Sequence, residues 1–197
     1  MLSQIKTRGL INGSDEWVEI YNPGSTPVTF DSTWALEARN ATTDTSGCSV
    51  SPYAAYGLRF NGGGQVIPPH GHILYANSAG FSESATTPAD GTYSSNFGIP
   101  DAASVILLHG SAIIDALCFY YDATTLATLT GCSVPYTCKG TPVTNPHNNT
   151  SATDTNESLE RKPGGSGGNT SDTGDNATDF QVASPADPHD LASTPVP

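Results

Sequence analysis

Positive charge is scarce in this sequence: seven Lys and Arg face nineteen Asp and Glu across 197 residues, a formal charge of −12. The summed field of such a chain repels phosphate backbones, which disfavours nucleic acid as a partner. The seven cations are scattered as well, with only Arg161 and Lys162 adjacent. Long apolar runs are missing too. The longest, Ala112 to Tyr121, is broken by Asp115 and falls short of the ~20 residues a membrane-spanning helix needs, so membrane insertion is not expected. No stretch repeats apolar residues at helical spacing for long; the best helical candidate is a single turn near Ser78 to Glu83. Catalytic signatures are also lacking, with no Ser in a G-x-S-x-G elbow and neither a phosphate loop nor a dinucleotide fingerprint.

What the chain does have is Gly (20), Pro (15) and many Ser, Thr and Asn, which break helices and supply turns. Between the turns, side chains alternate with period two. In Glu16 to Tyr21 the residues Trp17, Glu19 and Tyr21 point opposite to Val18 and Ile20, the pattern of a half-buried strand ended by the turn Asn22-Pro23-Gly24-Ser25. Further strands are predicted at Leu2 to Thr7, Thr33 to Arg39, Tyr56 to Phe60, Gln65 to Pro68, His72 to Ala76, Ala103 to His109 and Ala112 to Tyr120. Weaker ones follow at Ser158 to Arg161 and Phe180 to Ala183. Only Gly110-Ser111 separates Ala103 to His109 from Ala112 to Tyr120, so these two should form an antiparallel hairpin. Its core residues should be Val105, Leu107, Ile113 and Leu117. The expected architecture is all-β, a sandwich of about seven to nine short strands with long loops.

The long loops are Asn40 to Ala55, Ser82 to Ile99 and Asp122 to Asn156. Four cysteines, with no CxxC pair and no His at zinc-finger spacing, read as disulfides and point to an oxidising compartment. They allow three connectivities. The short span between Cys132 and Cys138, which contains Pro135, favours a bridge between those two and leaves Cys48 with Cys118. One domain is expected over residues 1–188, with an inserted loop near 122–156, followed by an extended tail or linker over 189–197. Met1 reads as an initiator standing where a signal peptide has been removed, since a strand begins at Leu2.

Several groups invite a chemical reading. Asp15, Glu16 and Glu19 contain carboxylates that could share acid and base work, but Glu16 and Glu19 have opposite strand parity and face opposite sides. His70-Gly71-His72 has the i, i+2 spacing of some metal sites; the two preceding prolines and the lack of a third ligand nearby favour a solvated turn pair. Asn61 to Gly64 reads as a hairpin turn. Asp172, Asp175 and Asp179, with Asn169 and Asn176, form the densest set of oxygen ligands and are weak calcium candidates, because that ion takes roughly six to eight oxygens. The Asn-x-Ser/Thr sequons at Asn12, Asn40, Asn148, Asn149, Asn156, Asn169 and Asn176 matter only in a eukaryotic secretory host and otherwise mark loops. No catalytic residue and no cofactor is assigned.

Leu2 to Gly9 followed by Asp15 to Val28, then Trp34-Ala35-Leu36, resemble the opening of the bacterial, extracellular lamin tail domains. Pro68 to Ala76, the pair Asp101 to Leu108 and Ile113 to Leu117, and finally Ser158 to Gly165 with Asp172 to Phe180 resemble its later segments in the same order. Cys118-Phe119-Tyr120 departs from the Gly-Trp-Gly usual after that hairpin. The resemblance implies an immunoglobulin-like β-sandwich that acts without catalysis. Two roles follow from it: a secreted or cell-surface recognition or attachment module holding a protein or glycan, or an accessory domain of a larger secreted hydrolase such as a nuclease or phosphoesterase.

Overall fold

A computed structural model describes residues 1–42 and 56–197, so Cys48 and most of the first long loop lie outside the described residues. The protein is all-β, with thirteen strands among those residues. In order they are β1 (Leu2–Lys6), β2 (Trp17–Tyr21), β3 (Val28–Phe30), β4 (Trp34–Asn40), β5 (Gly57–Asn61), β6 (Gln65–Ile67) and β7 (His72–Asn77). Then come β8 (Gly91–Tyr93), β9 (Ala103–His109), β10 (Ala112–Tyr120), β11 (Val143–Thr144), β12 (Ser158–Arg161) and β13 (Phe180–Ala183), with helix α1 (Ala123–Gly131) after β10 and α2 (Asn176–Asp179) before β13. Six strands form one sheet in the order β13-β12-β1-β2-β7-β8, five form another in the order β11-β10-β9-β4-β5, and β3 pairs with β6 as a separate ribbon.

The two large sheets share one core. Leu2, Ile5, Val18, Ile20, Ile73 and Leu159 from the first meet Leu36, Val105, Leu107, Leu117 and Phe119 from the second. Strand alternation supplies this, each strand sending every other side chain inward. The hairpin between β9 and β10 forms as expected, its turn eased by Gly110 at φ +59°. One of its predicted core residues does not hold. Val105, Leu107 and Leu117 are fully buried, whereas Ile113 is 50% exposed. The register shifts between Ile113 and Asp115, and a β-bulge there reverses the parity of everything before it.

Other expectations are corrected by the same structure. Strand β2 is buried on both faces, since it lies inside the six-stranded sheet and its outer face is covered. Trp17, Leu74 and Ala76 of that outer face pack with Phe81, Ala89 and Ala186. The turn Asn61 to Gly64 is no hairpin, because β6 pairs with β3 while β5 pairs with β4. Within the loop from Asp122 to Asn156 lies α1, started by a capping box in which Asp122 accepts from the Thr125 amide. Cys138 is bridged to Cys118, not to Cys132, with Cα atoms 5.2 Å apart, and Cys132 caps the far end of α1 in a disulfide of its own. The Thr137 carbonyl accepts from Ser104 Oγ at 2.6 Å, which seats Cys138 beside β9 and β10, and Cys118 is therefore not paired with Cys48 either. No helix among the described residues is long and apolar enough to cross a membrane.

Candidate functional site

The acidic segment near residue 175 closes the barrel-like edge between β10 and β12 and engages each calcium candidate with a donor. Asp179 accepts from Ser171 Oγ at 2.8 Å and from the Thr173 amide at 2.9 Å. Asp175 caps α2 through the Thr178 amide and also accepts from the Thr141 amide at 2.8 Å, bonds that hold its carboxyl down at about 2. Asp172 pairs with Lys139 at 2.7 Å. Behind them the fully buried Arg161 donates to the Leu2 carbonyl at 2.7 Å, the Ser171 carbonyl at 2.6 Å and Asp115 at 2.6 Å. Asn176 donates to the Ala116 carbonyl and accepts from the Cys118 amide, so it too is structural. The three carboxylates thus latch two loops together and do not converge on one point.

A different set of ligands does converge. On the outer face of the six-stranded sheet, Glu19 of β2 and His72 of β7 are 0% and 1% exposed, which corrects the reading of His72 as a solvated turn residue. His72 Nε2 is 3.5 Å from Glu19 Oε1 and 2.8 Å from Asn169 Oδ1. The third member comes from the tail: His189 donates its amide to Glu19 Oε2 and places Nδ1 3.2 Å from the same oxygen. Burial alone would raise the Glu19 carboxyl, but the two imidazoles hold it below the usual carboxylate range. Burial pushes His72 down, whereas the bond to Glu19 pushes His189 up. Among the described residues this is the one grouping of three His, Cys, Asp or Glu with ligand atoms close enough to share an ion.

Two further buried charges serve packing. Lys6 Nζ, itself fully buried, bonds to Glu83 and lies 3.1 Å from Asn156 Oδ1 and 3.6 Å from the buried Asp15. Glu16 faces the opposite side from Glu19, as parity requires, and accepts from Asn77 Nδ2 at 2.8 Å and the Ile99 amide at 3.2 Å; its burial pushes the carboxyl up to about 7. His70, in the turn before β7 with φ 57°, sits 3.2 Å from the Tyr21 hydroxyl.

An open concavity among the described residues lies elsewhere. An apolar cleft is lined by Met1, Ile20, Val28, Phe30, Trp34, Ile67 and Ile114, with Asn22 and Asp172 as its polar groups. Ile114, 42% exposed, forms its lip beside the β10 bulge. Trp34 is fixed by stacking on His109, ring centroids 4.4 Å apart and 12° from parallel. Sequence reasoning missed both features. His189 fell in a stretch read as linker, and the cleft depends on β3 and a bulge, neither of which alternation reveals.

No protein-family model matches the chain, and no curated protein matches it. Among solved structures, a DUF4876 family protein from Bacteroides thetaiotaomicron aligns with a TM-score of 0.58 at 14% identity, covering 91% of this chain and 69% of that one. At that identity the likeness is one of fold.

Proposed function

We propose that the chain is a non-enzymatic recognition or attachment module of extracellular type, an immunoglobulin-like sandwich resembling the lamin tail domains, and that it holds a partner through the apolar cleft beside the β9–β10 turn. The cleft carries the reading. A rigid Trp34 wall and a half-exposed Ile114 at its lip leave apolar surface in contact with water, and such surface gains free energy when a partner covers it. Its few polar groups favour an apolar side chain of a protein over a glycan, whose hydroxyls would need many donors and acceptors. The Cys118–Cys138 bridge supports an oxidising compartment, secreted or at the cell surface. The cations support the exclusion of nucleic acid: Lys6, Arg8, Arg39 and Arg161 are buried, so little positive charge faces solvent.

The test is a surface-plasmon-resonance panel of extracellular proteins and glycans, run with the parent chain and with an Ile114→Asp variant. A partner should bind the parent and be lost by the variant, whose melting temperature should stay close to the parent's because the position is exposed. Turnover of phosphoesters or glycosides, or a DNA gel shift at ~150 mM salt, where exposed charge pairs are already screened, would overturn the reading.

A further inference from the structure

We propose that Glu19, His72 and His189, with Asn169, form a binding site for a divalent transition ion of the zinc class, and that the ion clamps the C-terminal segment onto the six-stranded sheet. Two imidazoles and a carboxylate are a donor set that zinc takes, at bond lengths that put neighbouring donors roughly 3.4 Å apart. The structure has His72 Nε2 3.5 Å from Glu19 Oε1 and His189 Nδ1 3.2 Å from Glu19 Oε2. The fourth donor, Asn169 Oδ1, is 2.8 Å from His72 Nε2 and is aimed there because its own Nδ2 donates to the Arg161 carbonyl. These donors come from β2, β7, the loop after β12 and the tail, so closing them around one ion ties together parts of the chain that lie far apart in sequence.

An independent observation points the same way. Glu19 is fully buried, and its Oε1 makes no well-aligned hydrogen bond although Ser3 and His72 lie beside it. A carboxylate oxygen enclosed without a donor or cation is costly, and an ion at the centre satisfies it directly. The surroundings suit a dication: Glu160 and Asp187 add negative potential at His189, and the formal charge of the chain is −12. Two of the donors are imidazole nitrogens and only two oxygen-bearing side chains contribute, which favours zinc over calcium or magnesium. Such an ion acts as a staple and not as a catalyst, because four protein donors complete a tetrahedral set of the structural kind.

The experiment is calorimetric titration of the full chain, stripped with chelator, with ZnCl2, beside His189→Ala and Glu19→Gln and a His109→Ala control at an exposed histidine. One zinc per chain should bind, the melting temperature should rise by about 5 to 10 °C at zinc ~100 times the Kd, and amide exchange over residues 186–191 should slow. His189→Ala and Glu19→Gln should each weaken binding at least about 10-fold, the usual effect of losing a metal-site group, with His109→Ala unchanged. His189→Ala keeps the backbone amide that donates to Glu19, and a metal-free melting curve and circular dichroism matching the parent's show it folded, so a failure to bind is read directly. Cobalt in place of zinc should give the visible absorption of a low-coordinate site in the parent and not in His189→Ala. Absence of binding below millimolar zinc, or binding that the His189→Ala variant retains, would overturn the proposal.

Discussion

Glu16 and Glu19 stand three residues apart and live in different chemistry, and only their parity could be read from the sequence. Alternation places them on opposite faces; burial of both faces follows from what covers β2, which lies far along the chain. Glu16 is the cleaner probe of that burial, since it hydrogen-bonds Asn77 and the Ile99 amide and burial outweighs the pull of Arg59. Its carboxyl titrates at about 7 in the folded protein against 4.5 when exposed. Below the lower value both states hold the proton and nothing is lost. Between the two, the folded protein keeps a proton that the unfolded chain has released, so stability falls as pH rises, by about 3 kcal/mol in total. Glu16→Gln keeps an acceptor for both donors and should remove that slope. Urea titrations of parent and variant at about pH 4.5 and pH 7.5 check it, and an unchanged difference between the two pH values would mean that Glu16 is not enclosed as described.

At the scale of elements, strands of five residues or more were readable, as were the shorter β6, β12 and β13, whereas the other short strands were not. Ala103–His109 and Ala112–Tyr120 are found where alternation and a two-residue turn put them. β3, β8 and β11 run only two or three residues, too few for a period of two to show. Helix α1 is hidden by its Thr content, which lowers helix propensity, and its capping box Asp122-x-x-Thr125 was the available signal. The bulge in β10 is invisible to pattern reading because a single extra residue decides which side chains face in. Its effect can be measured. Leu107→Ala should cost about 2 to 5 kcal/mol, as for a fully buried leucine, while Ile113→Ala should stay within about 0.5 kcal/mol. Equal losses in chemical denaturation would place Ile113 back in the core and remove the bulge.

The whole molecule is closed by a segment that composition alone reads as linker. Residues 184–197 have no helix or strand, yet Ala186 packs on Trp17 and Leu74, the Leu191 amide donates to Asp90, and Val196 exchanges bonds with His70 and Tyr21. Prolines and small polar residues hide this, since docking here rests on backbone donors that every residue carries. Ending the chain at Ala183 should therefore cost on the order of 2 to 4 kcal/mol, from apolar surface uncovered on β2 and β7, and lower the melting temperature by several degrees. A truncated chain that melts with the parent would show the contact to be idle. The burial of positive charge has a consequence for survival outside a cell. Proteases of the trypsin type cut after Lys or Arg, and Lys6, Arg8, Arg39 and Arg161 are enclosed in the fold. Of the remaining three, Lys162 precedes Pro163, a bond such enzymes leave intact, and Arg59 sits within a strand. Lys139, held by Asp115 and Asp172, is the one target left in a loop. The native protein should outlast trypsin at concentrations that digest the urea-unfolded chain within minutes, and any early nick should fall after Lys139.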